Sequence, residues 1–368
     1  MFFIMVLFFY FAASFYAAWR IVSGLQIPPQ FKIYIYLAAA ILSIGSALII
    51  FLRRFESLPL SSLLSPAAYI YMGILAITFT ALITNDIINI TNLVLKIPSF
   101  RYYSTLITLI IVVVVCLWSF INVAFILKTK EIKIPVENLP VENLKIALLS
   151  DIHITPYTSP KTINKIWDKV LAQKPDIIVL AGDITDSDIN TNDKFLKYGF
   201  DRLRAPAGIY IITGNHEYYS GLEEFFEMFK KLNIKVLKNE SIVAGGKVNI
   251  AGIEDTSFRK SEDITLALSN VDKKLPIVFL SHRPESFDIA ANLGHKVIQL
   301  SGHTHAGQIP PIDIIRALMK YNYGLYYDNG SVMYVTSGTR FWGPPMRFSS
   351  RSEIVIINLV RNGQETGL

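Results

Sequence analysis

Residues 145–153 run Lys145-Ile-Ala-Leu-Leu-Ser-Asp-Ile-His153, a short apolar stretch that ends in an aspartate and a histidine two positions apart. A short apolar run of this kind, bounded by polar residues, is typical of a buried strand. Similar runs begin at 176, 209, 248, 277, 296, 332 and 354, and stretches with helical periodicity lie between them at 159–173 and 221–232. The pattern predicts an α/β domain with a substantial core.

The histidines of this chain are placed at the ends of predicted strands. Of the 6 histidines, all but His295 directly follow one of these apolar runs, beside carboxylates, glycines or other polar residues. Because ligands bind beyond the carboxyl ends of the strands in open α/β sheets, we expect the strand-end residues to converge. The motifs are Asp151-Ile-His153, Gly182-Asp183-Ile-Thr-Asp186, Gly214-Asn215-His216-Glu217, Ser281-His282 and Gly302-His303-Thr304-His305.

These motifs supply a set of oxygen and imidazole donors. In Asp-x-His and His-x-His, residues two apart point the same way in an extended backbone, so both members of a pair can reach one centre. The single cysteine, Cys116, lies in an apolar run, so a thiolate cluster is excluded. Such donors suit Mn, Fe or Zn, and they suit two ions about 3.5–4 Å apart that share one carboxylate. We assign the shared role to Asp183; the predicted metal ligands are Asp151, His153, Asp183, Asn215, His282, His303 and His305.

In this order the motifs resemble those of the calcineurin-like metallophosphoesterase superfamily, and Leu280-Ser-His-Arg-Pro-Glu285 resembles its bacterial, often membrane-associated branch. The resemblance covers residues 131–360. It implies a fold of two mixed β-sheets sandwiched between helices. It also implies that one metal is held by Asp151, His153, Asp183 and His305, and the other by Asp183, Asn215, His282 and His303.

The resemblance further implies roles for residues beside the ligands. His216 and Asp183 are the expected catalytic residues, with His216 contacting phosphate and protonating the leaving group. Glu217 is expected to orient His216 from behind. Asp186 is either a similar supporting residue or a turn residue, and Arg283 is a weaker candidate for binding substrate phosphate. Protein serine/threonine phosphatases of this superfamily carry Arg-Gly after the Asp183 motif, and Ser187-Asp188 at that place argues against that type.

The first third of the chain has a different composition, with few charges and long apolar runs. Four stretches approach the ~20 apolar residues that span a bilayer: Phe2–Val22, Ile33–Leu52, Leu63–Thr84 and Thr105–Leu127. The first could instead be a signal peptide, but it lacks a basic start and a cleavage pattern. Asp86 is expected in a loop, and Ile88–Ile97 is too short to span. Basic residues flank the spans evenly, so the side that the later domain faces stays open.

The predicted fold class is therefore an N-terminal α-helical transmembrane bundle followed by an α/β metallophosphoesterase domain. The predicted divisions are a membrane domain at 1–127, a linker with a leading strand at 128–144, and the calcineurin-like domain at 145–368. We expect a multi-pass protein of the cell membrane whose partners are the lipid bilayer and a phosphoester. The expected cofactors are two divalent ions, Mn²⁺ before Zn²⁺ or Fe, and a metal-bridging hydroxide is expected to attack phosphorus.

The natural substrate stays open at this stage. Phosphodiesters and lipid-linked phosphates are favoured only because the anchor keeps the site near the bilayer. A nuclease or cyclic-nucleotide phosphodiesterase is the alternative enzyme, but the net charge of +6 forms no Lys/Arg cluster, so no nucleic acid is expected. A non-catalytic membrane sensor that binds phosphoryl ligands is the other alternative; it would not need the general acid His216. Nothing in the sequence indicates an oligomeric state.

Overall fold

The computed structural model describes residues 2–52, 59–186, 198–255 and 262–362. The chain divides into two compact units. The helical unit comprises Met1–Ile126 together with Gly307–Ile315 and Trp342–Ser350. The sheet unit comprises Leu127–Ala306, Arg316–Phe341 and Arg351–Leu368. The two short segments of the helical unit fall within the stretch that the sequence analysis assigned to the catalytic domain.

The helical unit is built on four long helices: α1 (Phe2–Gly24), α2 (Pro29–Leu52), α3 (Pro59–Leu95) and α4 (Phe100–Phe125). Residues 29–52, 63–95 and 100–125 of α2, α3 and α4 are long and apolar enough to cross a membrane. The stretch predicted as the first span is helical as α1, and its membrane-spanning role stays a prediction.

The expectation that Asp86 lies in a loop is wrong. Asp86 is inside α3, which continues to Leu95. The stretch at 88–97, which was predicted as a separate short segment, is therefore part of the same helix as far as residue 95. Asp86 forms an ion pair with Arg20 of α1 and accepts a hydrogen bond from the Tyr16 hydroxyl at 2.6 Å. A carboxylate among apolar helices is tolerated when it is paired in this way.

The sheet unit contains two six-stranded mixed sheets. The strands of the first sheet are β1 (Leu127–Val136), β2 (Asn143–Leu149), β3 (Ile177–Ala181), β4 (Ile209–Ile212), β5 (Lys235–Val236) and β12 (Ser352–Arg361). The strands of the second are β6 (Glu240–Ala244), β7 (Val248–Gly252), β8 (Ile277–Leu280), β9 (Val297–Ser301), β10 (Gly324–Asp328) and β11 (Ser331–Val335). Their orders are β1-β12-β2-β3-β4-β5 and β10-β11-β9-β8-β7-β6. Strands β2 to β5 are parallel, as are β7, β8, β9 and β11.

The main core lies between the two sheets, and helices cover their outer faces. In β3, Val179 faces the core that Ile250 and Leu300 of the second sheet share. The neighbouring Ile178 faces the opposite side of the sheet. There it is buried in one cluster with residues of α5 (Pro160–Leu171), including Trp167, and of α7 (Leu222–Lys231). The α8 helix (Glu262–Ser269) covers the second sheet in the same way. Both faces of the central strands are buried, which explains their unbroken apolar runs.

The predicted fold class is thus confirmed as apolar helices followed by a two-sheet α/β domain. All the predicted strands from 145 onward are present. The described residues also form the short helices α6 (Asn215–Ser220), α9 (Phe287–Ala290) and α10 (Ile312–Ala317). The sequence analysis did not identify β5, β6 and β10, which are short or lie at a sheet edge.

Candidate metal centre

Strand ends of both sheets carry the candidate residues. In the first sheet they follow the parallel strands β2, β3 and β4, and in the second they follow β8 and β9. Because the carboxyl ends of parallel strands lie at one edge of a sheet, residues far apart in sequence meet there. Each sheet contributes histidines to the site: His153 and His216 from the first, and His282, His303 and His305 from the second.

The backbone at these strand ends is left-handed rather than extended. Asp151, His153, Asp183, His303 and His305 have φ angles of 54°, 47°, 53°, 69° and 51°. The prediction that an extended backbone aligns the members of each pair is therefore wrong, although the residues do converge. Non-glycine residues adopt this conformation uncommonly, and aspartate and histidine do so more readily than most.

Two glycines let carboxylates approach the backbone. A Cβ atom on Gly214 would clash with the Asp183 carboxylate, and one on Gly302 would clash with the Asp151 carboxylate. With glycine present, the His216 amide donates to Asp183 Oδ1 at 3.0 Å, and the His303 amide donates to Asp151 at 3.1 Å. These amides fix the direction in which each buried carboxylate points.

The side chains form overlapping groups of potential metal ligands. Within the described ranges, three groups have ligand atoms that all lie within 4.8 Å of one another. They are Asp151, His153 and His305; His153, Asp183 and His216; and Asp183, His282 and His303. Asp183 belongs to two of these groups, and its Oδ2 atom lies 3.1 Å from His282 Nε2 and 3.8 Å from His153 Nε2.

The first group presents its nitrogens to a common point. The Nε2 atoms of His153 and His305 are 3.1 Å apart, and His305 Nε2 is 3.4 Å from Asp151 Oδ1. Two ring nitrogens at this distance cannot both carry a proton, so at least one lone pair faces the shared space. This arrangement suits a cation.

The second group also points a ring nitrogen inward. His282 Nδ1 lies 2.8 Å from the Ala181 carbonyl oxygen, and because that oxygen can only accept, Nδ1 carries the proton. The buried Nε2 atom then faces Asp183 and forms no hydrogen bond of good geometry in the described part of the chain. Buried acids, imidazole lone pairs and no thiolate fit divalent cations of the Mn, Fe or Zn type.

Asn215 is linked to the second group through Arg283. Arg283 Nη2 donates to Asn215 Oδ1 at 3.3 Å, and Arg283 Nη1 lies 2.9 Å from His303 Nε2. Burial and the positive charges of His282 and Arg283 lower the pKa of His303 to about 2, so its ring is neutral and its Nε2 atom accepts from Arg283.

Glu217 supports the backbone instead of His216. Its buried carboxylate accepts hydrogen bonds from the amides of Gly214 at 2.7 Å, Asp183 at 3.0 Å, Ile184 at 2.7 Å and Thr185 at 3.2 Å. Burial and the neighbouring Asp183 raise the pKa of Glu217 to about 7 against the effect of these donors. The expectation that Glu217 orients the His216 ring is therefore corrected. Glu217 instead links the loop that follows β3 to the loop that follows β4.

Asp186 makes the contact to the imidazole rings. Its Oδ1 atom lies 2.7 Å from His153 Nδ1 and 2.8 Å from His216 Nδ1. Burial alone would raise the pKa of Asp186, but the two histidines outweigh it and hold the pKa well below its usual range. Burial alone would lower the pKa of His216, but Asp183 and Asp186 raise it to about 9.

Two further residues lie next to the site. Asp255 is buried after β7, and its Oδ2 atom accepts from Arg283 Nε at 3.1 Å. The sequence carried a usable signal for it, because Asp255 follows a predicted strand as Asp151 and Asp183 do. Arg340 donates from Nη1 to the carbonyl oxygen of His153 at 3.0 Å, and no sequence pattern indicated this contact.

Comparison with known proteins places this geometry in context. Residues 144–307 match the family model of the calcineurin-like phosphoesterases. The chain is 35% identical over 243 residues to an uncharacterised metallophosphoesterase of Helicobacter pylori, covering 64% of this chain and 65% of that protein. It is 34% identical over 279 residues to a Danio rerio transmembrane protein with metallophosphoesterase domain, covering 71% and 63%. An uncharacterised metallophosphoesterase of Campylobacter jejuni is 35% identical over 266 residues, covering 68% of each chain. The chain thus spans slightly less than two thirds of the first two relatives.

Proposed function

Because this chain belongs to the calcineurin-like metallophosphoesterases, we propose that it is a membrane-anchored hydrolase of phosphate esters that uses two divalent cations. The position of the Asp183 carboxylate carries the proposal. Its Oδ2 atom lies between His153 Nε2 at 3.8 Å and His282 Nε2 at 3.1 Å, at the junction of two donor groups. A carboxylate shared by two sets of ligands is what a pair of ions about 3.5–4 Å apart requires.

The ligands divide into two sets that share Asp183. Asp151, His153, Asp183 and His305 would hold one ion, and Asp183, Asn215, His282 and His303 would hold the other. Mn²⁺ is the proposed metal, with Zn²⁺ or Fe as the alternatives that the same donors accept. When bound, such ions supply an activated water and neutralise charge on the phosphoryl oxygens. Asp186 orients His153 by accepting from its Nδ1 atom at 2.7 Å.

His216 is proposed to donate the proton to the departing alkoxide. Asp186 accepts from Nδ1 at 2.8 Å, which directs Nε2 towards Asp183 Oδ2 at 3.9 Å. In the metal-free site Asp183 and Asp186 raise the pKa of His216 to about 9, and the contact with Asp186 favours the protonated ring. A general acid must hold its proton until the leaving group needs it, and His216 meets this condition.

Arg283 is proposed to contact a phosphoryl oxygen of the substrate. The buried Asp255 holds its Nε atom at 3.1 Å, and its terminal nitrogens extend towards Asn215 and His303. An arginine fixed at one edge presents its remaining N–H groups as a planar fork, which suits phosphate.

The membrane helices support the proposed location. Residues 29–52, 63–95 and 100–125 could each cross a bilayer, and we propose a multi-pass protein of the cell membrane. A site tethered to a bilayer meets substrates that reside there, so phosphodiesters or lipid-linked phosphates are the proposed substrates.

The proposal is tested with the full chain in detergent, using chromogenic phosphomonoesters and phosphodiesters with added Mn²⁺. Asp183→Asn should lose both activity and bound metal, because both ligand sets depend on this carboxylate. His216→Ala should retain metal but lose about 10²–10⁴-fold in activity, the usual contribution of a general acid. The matched control is His295→Ala, which changes the one histidine outside the motifs and should leave both readouts unchanged. Equal, metal-independent hydrolysis in all variants would reject the enzyme.

A further inference from the structure

Two loop segments of the helical unit pack against its long helices. Ile309, from the segment Gly307–Ile315, and Met346, from Trp342–Ser350, are buried in one cluster with Ile77 of α3 and with Val112 and Cys116 of α4. Cys116 lies about 13 Å along the helix axis from the end of α4. Half the apolar thickness of a bilayer is about 15 Å. The segments therefore run beside the part of α4 that would lie within a bilayer.

The polar backbone groups of the segment Trp342–Ser350 form hydrogen bonds with α4. The Arg347 amide donates to the Ser119 carbonyl oxygen at 3.1 Å, and Asn122 Nδ2 donates to the carbonyl oxygens of Arg347 at 2.8 Å and Ser350 at 2.9 Å. Irregular backbone at membrane depth is stable only when protein groups satisfy its polar atoms in this way. Polar residues of an otherwise apolar helix thus hold the segment on α4.

The same two segments expose large apolar side chains. Ile312, Ile314 and Ile315 are 42%, 55% and 58% exposed, and Trp342 and Phe348 are 43% and 38% exposed. The two segments are also bonded to each other, since the Phe348 amide donates to the Gln308 carbonyl oxygen at 2.8 Å. Large apolar groups exposed together mark a membrane or protein contact. We call these five side chains the apolar lip.

We propose that the apolar lip lies within the bilayer that α2, α3 and α4 span, at the depth of the segments that carry it, and that it contacts acyl chains. Lipid is favoured over a protein partner because the lip is continuous with segments that already pack on the spanning helices. Four of the five side chains are isoleucine or phenylalanine, which enter the apolar interior of a bilayer favourably. The proposal rests on the membrane-spanning role of these helices and does not depend on the phosphoesterase activity.

The test places a fluorescent probe on the lip of the full chain in lipid nanodiscs. In a Cys116→Ala background, Ile315→Cys is labelled with an environment-sensitive dye and exposed either to lipids with nitroxides on their acyl chains or to aqueous iodide. The matched control is Leu266→Cys on α8, because Leu266 is 56% exposed against 58% for Ile315. We expect nitroxide lipids to quench the probe at 315, and iodide to quench the probe at 266.

Several outcomes would overturn the proposal. Iodide quenching at 315 as strong as at 266, without nitroxide quenching, would place the lip in water. Protection at 315 that disappears in discs holding a single copy would assign the lip to a contact between copies. Trp342→Cys provides a second probe position if Ile315→Cys fails to fold. Mn²⁺-dependent hydrolysis by the labelled protein is measured in parallel, so a misplaced lip in an active enzyme is distinguished from loss of the proposed activity.

Discussion

Asp186 illustrates how one carboxylate controls two imidazoles. A single oxygen accepts from His153 and from His216, at 2.7 and 2.8 Å. The first contact fixes a proposed metal ligand, and the second stabilises the protonated form of the proposed general acid. The sequence left Asp186 undecided between a supporting and a turn residue, because its two partners lie 33 and 30 positions away and only the fold brings them to it.

Asp186→Asn should lower activity by about 10–100-fold, the usual effect of changing a residue behind a metal ligand. It should also move the alkaline fall of the pH–rate profile to lower pH. Asp183 and Asp186 raise the pKa of His216 to about 9 in the metal-free site, and the charge of Asp186 still favours the protonated ring when cations neutralise Asp183. The acid therefore loses its proton only above a pH limit that depends on Asp186. Removing one charge lowers this limit. Asp168→Asn, which changes an exposed aspartate on α5, is the control, and an unshifted profile in Asp186→Asn would contradict the role given to His216.

Metal binding should release protons. Burial alone would lower the pKa of His282, but Asp183 and Asp151 raise it to about 10 in the metal-free site. The ring is therefore protonated at neutral pH and must lose its proton to bind an ion. Apparent affinity for Mn²⁺ should rise with pH up to about 10 and fall as the solution becomes more acidic. Calorimetric titration of the metal-free protein in two buffers of different ionisation enthalpy measures the released protons; an affinity independent of pH between ~7 and ~9 would contradict this.

At the scale of elements, Glu217 ties the ends of β3 and β4 together through four backbone amides. Glu217→Ala should leave buried N–H groups unpaired, each of which costs about 1–3 kcal/mol. We expect the free energy of unfolding to fall by about 3 kcal/mol or more, with loss of bound metal. Urea denaturation followed by tryptophan fluorescence measures the change. Glu223→Ala, on the exposed face of α7, should stay within about 0.5 kcal/mol of the parent, and a similar value for Glu217→Ala would contradict the proposed support.

An element could be predicted from the sequence where residues close to it in the chain determine its structure, and could not where contacts with distant residues determine it. The central strands are buried on both faces, so their apolar runs are visible in the sequence, and the motifs after them could be placed on one edge. The left-handed backbone at Asp151 and His153 could not be predicted from the sequence. It is held by hydrogen bonds from the amides of these two residues to the carbonyl oxygens of Gly182 and Asp183, which follow β3. Asp86 was misplaced for a similar reason: its partner Arg20 is on another helix.

At the scale of the whole molecule, the helical unit recruits two segments from the second half of the chain. Neither Gly307–Ile315 nor Trp342–Ser350 has an apolar run long enough to suggest a membrane contact. Each places one apolar side chain in the buried cluster of the long helices, Ile309 or Met346, and a single apolar residue leaves no periodic pattern. The boundaries at 127 and 145 followed composition, whereas these segments are defined only by their contacts.

The anchor should favour substrates that share its bilayer. Tethering raises the effective concentration of a substrate and can strengthen its apparent binding by about 10²–10⁴-fold without any new contact. We therefore expect a phosphoester with a long acyl chain to be hydrolysed at least ~10-fold faster when it is in the same nanodiscs as the enzyme than when it is in separate discs. A soluble chromogenic diester provides the control, since its rate should be the same in both arrangements. Equal rates for the acylated ester in both arrangements would mean that the helices anchor the enzyme without selecting its substrate. A tethered site has no advantage over a freely diffusing one when its substrate arrives from solution.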